Sequence, residues 1–125
     1  MIRLTPEALD FQIRTTGIEL GYSEQEGLTI RLTVDKQNQV VVATITFPLV
    51  AEFECVGMNF HECHYGEMEV VNCSAEQIDS RFYRNLERKS YAEKARIYDP
   101  RQRFDLEEYY IPGNDSYIRV IASSY

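Results

Sequence analysis

The sequence predicts an α+β fold: an antiparallel β-sheet, one main helix over about residues 75–89, and a C-terminal hairpin. Three observations predict it. Alternating apolar runs lie on both sides of a single helical pattern, short turn-forming clusters separate most of them, and a capping signature opens the helical stretch. Strands joined by short turns pair antiparallel, because a parallel pair needs a crossover of a dozen or more residues.

In chain order, "TPEALDFQIR" reads as a short helix with Pro6 at its first position, where the missing N–H costs nothing. "LTIRLTV" alternates, with Leu28, Ile30, Leu32 and Val34 on one face and Thr29, Arg31 and Thr33 on the other, the period of a half-buried strand. The polar cluster "DKQNQ" then joins it as a five-residue loop to the β-branched run "VVVATITF". Pro48 cannot donate to a ladder and marks a strand end, a bulge or an edge. "LVAEFECV" resumes with Leu49, Ala51, Phe53 and Cys55 on one face and Glu52 and Glu54 on the other.

"MEVVN" is a short strand. Ser74 and Gln77 form a capping box, and Ala75, Ile78, Phe82 and Leu86 recur behind it at helical spacing, with Arg81, Arg84 and Arg88 on the opposite face. Asp99 and Pro100 terminate any extension of that helix. "LEEYYI" and "SYIRVIA" flank the turn former "PGND" and give the C-terminal hairpin.

A chain of 125 residues suits one domain, 1–125, and 44% hydrophobic with 26% charged residues is a globular balance. No apolar run approaches the roughly 20 residues that span a bilayer, and the N-terminus lacks a secretory apolar stretch, so the expected setting is cytoplasmic. Three cysteines without a CxxC pair, Cys55, Cys63 and Cys73, fit reduced thiols. The net charge of −7 argues against direct nucleic-acid binding. Its distribution is bipolar. Residues 81–103 hold eight basic and three acidic side chains, a local +5, and the remainder holds five basic and seventeen acidic, −12.

"HECHYGE" gathers both histidines of the chain, His61 and His64, around Cys63. On an extended segment His61 and Cys63 face one way while Glu62 and His64 face the other, so the run alone cannot surround an ion. A site shared with Cys55 or Cys73 is the alternative, giving a small metal-binding or thiol-dependent enzyme based on His61, Cys63, His64 and Cys73. Cys73, just before a helix N-cap, is the better reactive-thiol candidate. Nothing matches a P-loop, GxGxxG, HExxH, GxSxG or EF-hand pattern, so no cofactor is expected. Glu52, Glu54, Glu67 and Glu69 place like charges on exposed sheet faces, a cost that a basic partner would offset. The run "RFYRNLERKSYAEKARIYDPRQRF" interleaves arginines with Tyr83, Tyr91, Tyr98 and Phe104, which reads first as a helix face paired with the acidic sheet.

The C-terminal run carries a resemblance. Phe104, Leu106, Tyr109, Tyr110, Asp115, Tyr117, Val120, Ile121 and Ala122 resemble a hairpin of small bacterial immunity proteins encoded beside polymorphic toxins of the contact-dependent inhibition or Rhs type. The resemblance covers about a fifth of the chain. It implies a non-enzymatic protein that neutralises a cognate, nuclease-type toxin. A basic toxin domain would then be met by Glu52, Glu54, Glu67 and Glu69, with Tyr109, Tyr110 and Tyr117 as anchors. An acidic DNA mimic is a further alternative with the same charge logic.

Overall fold

The computed structural model describes residues 2–7, 11–57, 68–71, 82–113 and 116–125. Among them the chain is α+β and dominated by antiparallel pairing. Its strands are β1 (Ile2–Pro6), β2 (Gln12–Ser23), β3 (Gly27–Lys36), β4 (Gln39–Phe47), β5 (Val50–Val56), β6 (Met68–Val70), β7 (Tyr83–Asn85), β8 (Glu107–Pro112) and β9 (Tyr117–Ala122). A 3-10 turn (Arg88–Ser90) leads into helix α1 (Ala92–Tyr98). One sheet runs β2-β3-β4 and the other β5-β9-β8-β7-β1-β6. A single parallel pair, β1 with β6, interrupts the antiparallel pattern among the described residues.

The two sheets pack face to face. Ile13, Leu28, Ile30, Leu32, Val34, Ile45 and Phe47 from the smaller sheet meet Tyr109, Ile111, Ile118, Val120 and Ala122 from the larger, together with Phe82. This is the alternation of "LTIRLTV" turned into burial: the even-numbered residues 28–34 are 0–2% exposed. The expected five-residue loop between β3 and β4 is a two-residue turn. Gln37 and Asn38 both take positive φ (51° and 63°), the conformation that matches strand twist in a tight hairpin.

Pro48 and Leu49 carry the chain from β4 in one sheet to β5 in the other. Gly27 makes this corner fit. Its φ is +83°, and a β-carbon there would lie 2.2 Å from the Phe47 carbonyl oxygen and 2.8 Å from that of Pro48. An irregularity between Val50 and Glu52 then turns Ala51 toward the helix side, while Phe53 and Cys55 pair with Val120 and Ile118.

Two helical expectations are corrected. The described part of the 75–89 helix is not α-helical: Tyr83–Asn85 is strand β7, hydrogen-bonded between β1 and β8. Leu86, which closed the helical spacing, is 39% exposed, whereas neighbouring Tyr83 and Asn85 are buried at strand spacing. Residues 75–81 lie outside the described residues. The N-terminal "TPEALDFQIR" contributes the end of β1 and the start of β2 rather than a helix at Thr5–Pro6 and Gln12–Arg14, with residues 8–10 outside the description. Helix α1 lies later in the chain and ends at Asp99, as the Asp-Pro pair demands.

Candidate functional site

The face of the larger sheet turned away from the smaller one carries a cluster of charged side chains. β9 sends Tyr117, Arg119 and Ile121 to this face, and the β5 register sets Glu54 opposite Arg119 and Glu52 opposite Ile121. The β8 register adds Tyr110 and Glu108, and β7 adds Tyr83 and Asn85. Helix α1 covers one end, packing Tyr91 and Ala95 on Leu106 and Ile121.

Arg119 is the hub. Its Nε donates to Glu54 Oε1 at 2.9 Å, its Nη1 to Glu108 Oε2 at 2.8 Å, and its Nη2 to Glu52 Oε1. Burial alone would pull the guanidinium pKa down, but the hydrogen bonds to Glu54, Glu52 and Glu108 outweigh it and hold the group above its usual value. Glu52 also accepts from Lys94 Nζ at 2.7 Å and Tyr98 Oη at 2.9 Å. The Lys94 bond is the largest influence, burial opposes it, and with the bonds from Arg119 and Tyr98 the Glu52 carboxyl is held at about 2. Glu108, 5% exposed, accepts further from Asn85 Nδ2 at 2.9 Å and Tyr110 Oη at 3.0 Å. Buried charges survive only when paired and hydrogen-bonded in this way.

This arrangement ties the helix to the sheet. Lys94 and Tyr98 of α1 reach Glu52, and Tyr91 Oη donates to Glu107 at 2.8 Å. A seven-residue helix is marginal alone, so these tethers and the small apolar contact hold it.

All but one of the expected partner residues fall among the described residues. Glu52 is committed to Arg119, Lys94 and Tyr98. Glu54 pairs with Arg119 yet keeps 52% of its side chain exposed. Glu69 is exposed on β6, beside Arg3. Glu67 lies outside the described residues. The three tyrosines expected as anchors are instead buried: Tyr109, Tyr110 and Tyr117 are 4–5% exposed and pack in the core. Burial holds the Tyr109 hydroxyl up at about 12, with help from the Glu7 carboxylate. His61, Cys63, His64 and Cys73 lie outside the described residues, and Cys55 is a free, exposed thiol. Among the described residues no cluster of three His, Cys, Asp or Glu side chains is placed to hold a metal. No described helix is long and apolar enough to cross a membrane.

The bipolar charge pattern is partly cancelled within the fold. Arg84 lies 3.7 Å from Glu7, Arg88 3.4 Å from Asp105, and Lys94 2.7 Å from Glu52. Lys89, Arg96, Arg101 and Arg103 stay exposed. Arg88 and Arg96 flank an open cleft of about 390 Å³ over Asp99 and Leu106. Asp99 is already engaged, accepting from the backbone N–H of Arg103 (2.8 Å) and Phe104 (2.9 Å).

Sequence reasoning missed two features. Arg119 sits in "SYIRVIA" at the position that alternation assigns to the face of Tyr117 and Ile121, and that was the available signal. The second is the β2–β3 hairpin tip, where exposed Glu24 and Glu26 adjoin Tyr22, 53% exposed. Tyr22 contacts Phe53 with ring centroids 5.5 Å apart, so its ring lies against the core-facing side of β5. Comparison of the chain with protein-family models, curated proteins and solved structures returns no match.

Proposed function

We propose that the chain is a non-enzymatic binding protein that neutralises a cationic protein partner, in the manner of an immunity protein against a nuclease-type toxin. The observation that carries this reading is the β2–β3 hairpin tip, where the exposed carboxylates of Glu24 and Glu26 adjoin the exposed ring of Tyr22. Acidic groups steer encounter with a basic face, and a rigid aromatic ring supplies contact area at low entropic cost. The net charge of −7 adds to the steering. On this reading β8 and β9 form the C-terminal hairpin that resembles those of immunity proteins, and its tyrosines serve the core of the scaffold.

The test is inhibition of the nuclease domain of a toxin encoded directly beside this gene. A stable complex that abolishes nuclease activity is expected, with association slowed about tenfold or more by Glu24→Lys/Glu26→Lys at low salt and much less at high salt. An unaffected nuclease, or an association rate indifferent to the double reversal, overturns the proposal. So does a stoichiometric metal in the purified protein, which would favour chemistry at His61, Cys63, His64 and Cys73.

A further inference from the structure

Sheet edges are templates for another strand, and proteins blunt them with charge, proline, bulges or brevity. Three of the four edges among the described residues are blunted. β2 carries Arg14 and Glu19 and breaks register between Ile13 and Ile18. β5 carries Glu52 and Glu54 and its own irregularity after Val50. β6 is three residues long.

β4 has none of these devices. It spans nine residues, "QVVVATITF", with no charge and no proline, and pairs with β3 in unbroken register from Gln39 to Phe47. Its free side is open to solvent: Val40, Val41 and Val42 are 54%, 38% and 68% exposed. Exposed valines beside unpaired backbone on one long strand mark an interaction edge.

We propose that β4 pairs antiparallel with β4 of a second copy of this chain, joining two three-stranded sheets into one of six. The strand is self-complementary. About a two-fold axis at Ala43, Val42 faces Thr44 of the second copy, Val40 faces its Thr46, and Val41 faces its Ile45. These are cross-strand pairs of β-branched residues, which stabilise antiparallel ladders. No like charges meet, although two copies each carry −7 overall. The nearest charges on β3 are already neutralised within each copy, Arg31 by Glu19 at 2.9 Å and Asp35 by Arg14 at 3.2 Å. On the inner face, Val41 against Ile45 of the second copy carries the apolar core across the junction. The symmetric contact closes on itself and leaves only the blunted β2 at each end of the joined sheet.

A single strand pair is smaller than a standard interface of roughly 1,200–2,000 Å², so the dimer is expected to depend on concentration. Sedimentation velocity of the whole protein from about 1 μM to about 1 mM should show a monomer–dimer equilibrium. Val42→Lys, at a position already in solvent, should raise the dimer dissociation constant at least about tenfold, with circular dichroism unchanged. In a Cys55→Ser background, Ala43→Cys should form an intermolecular disulfide between the two substituted positions on mild oxidation, identified by peptide mapping. Monomer at every concentration, or a dimer indifferent to Val42→Lys, overturns the pairing. So does a protein that stays monomeric alone while Val42→Lys weakens only a complex with another protein, since β4 would then receive a foreign strand.

Discussion

Arg119 satisfies three carboxylates with one guanidinium, and removing it strands Glu108, which is 5% exposed. Arg119→Met is expected to cost about 3–5 kcal/mol in urea unfolding, because an uncompensated buried charge remains. Adding Glu108→Gln should return part of that loss; a double variant no more stable than the single would contradict the account. Glu52 adds a pH dependence. Its carboxyl is held at about 2 in the fold, below the ordinary 4.5, so its contribution is present above pH 4.5 and fades as pH falls toward 2. Glu52→Gln should therefore lower stability at neutral pH and lose less than the parent between pH 5 and 2, as read from urea midpoints along the titration. Gly27 is a third sensitive residue. Gly27→Ala meets two carbonyl oxygens and a positive φ, and is expected to cost more than about 2 kcal/mol. Gly21→Ala on the adjacent strand, with open space at its β-carbon, should stay within about 0.5 kcal/mol of the parent.

At the scale of elements, period-two patterns were legible where one face alone is buried. "LTIRLTV" became β3 with its even-numbered residues in the core, and the split of Phe53 and Cys55 from Glu52 and Glu54 on β5 was readable for the same reason. The segment around Phe82–Leu86 was not legible. Its apolar spacing fits a helix locally, but the Leu86 N–H bonds to the Arg3 carbonyl oxygen at 2.8 Å and Tyr83 pairs with Tyr110, partners that lie far away in sequence. Spacing within a window carries no information about such pairing, and tertiary context overrides local propensity. Helix α1 escaped notice as a separate element because a single buried residue, Ala95, gives it almost no apolar stripe. Asp99, which caps its end and holds two backbone N–H groups, is the residue to test. Asp99→Ala should cost about 1–2 kcal/mol and loosen α1, seen as faster amide exchange across residues 92–98.

For the molecule as a whole, composition identified an acidic globular chain but not where its charge resides. Lys94 of the basic segment pairs with Glu52, and Arg119, already counted in the −12, holds Glu52, Glu54 and Glu108, while the acidic groups left beside an exposed ring sit at a hairpin tip that no motif marks. The aromatic-rich C-terminus was equally ambiguous, since tyrosines serve interfaces and cores alike; their burial between and behind the sheets resolves it. Those tyrosines make the whole fold sensitive to alkali. Burial raises the hydroxyl pKa of Tyr91, Tyr109 and Tyr110 above the ordinary 10, so the stability they contribute is present below pH 10 and is lost as pH climbs further. Phenolate absorbance from these rings should appear together with the loss of far-ultraviolet circular dichroism; phenolate formation in an intact fold would contradict their burial.

Pro48 and Leu49 leave the polypeptide no slack between its two layers. A tug on β4 is delivered almost undiminished to β5, and through β5 to the strand that bears Arg119. Sliding of one layer over the other would strain this short link at once, so a load applied to either layer is shared by both.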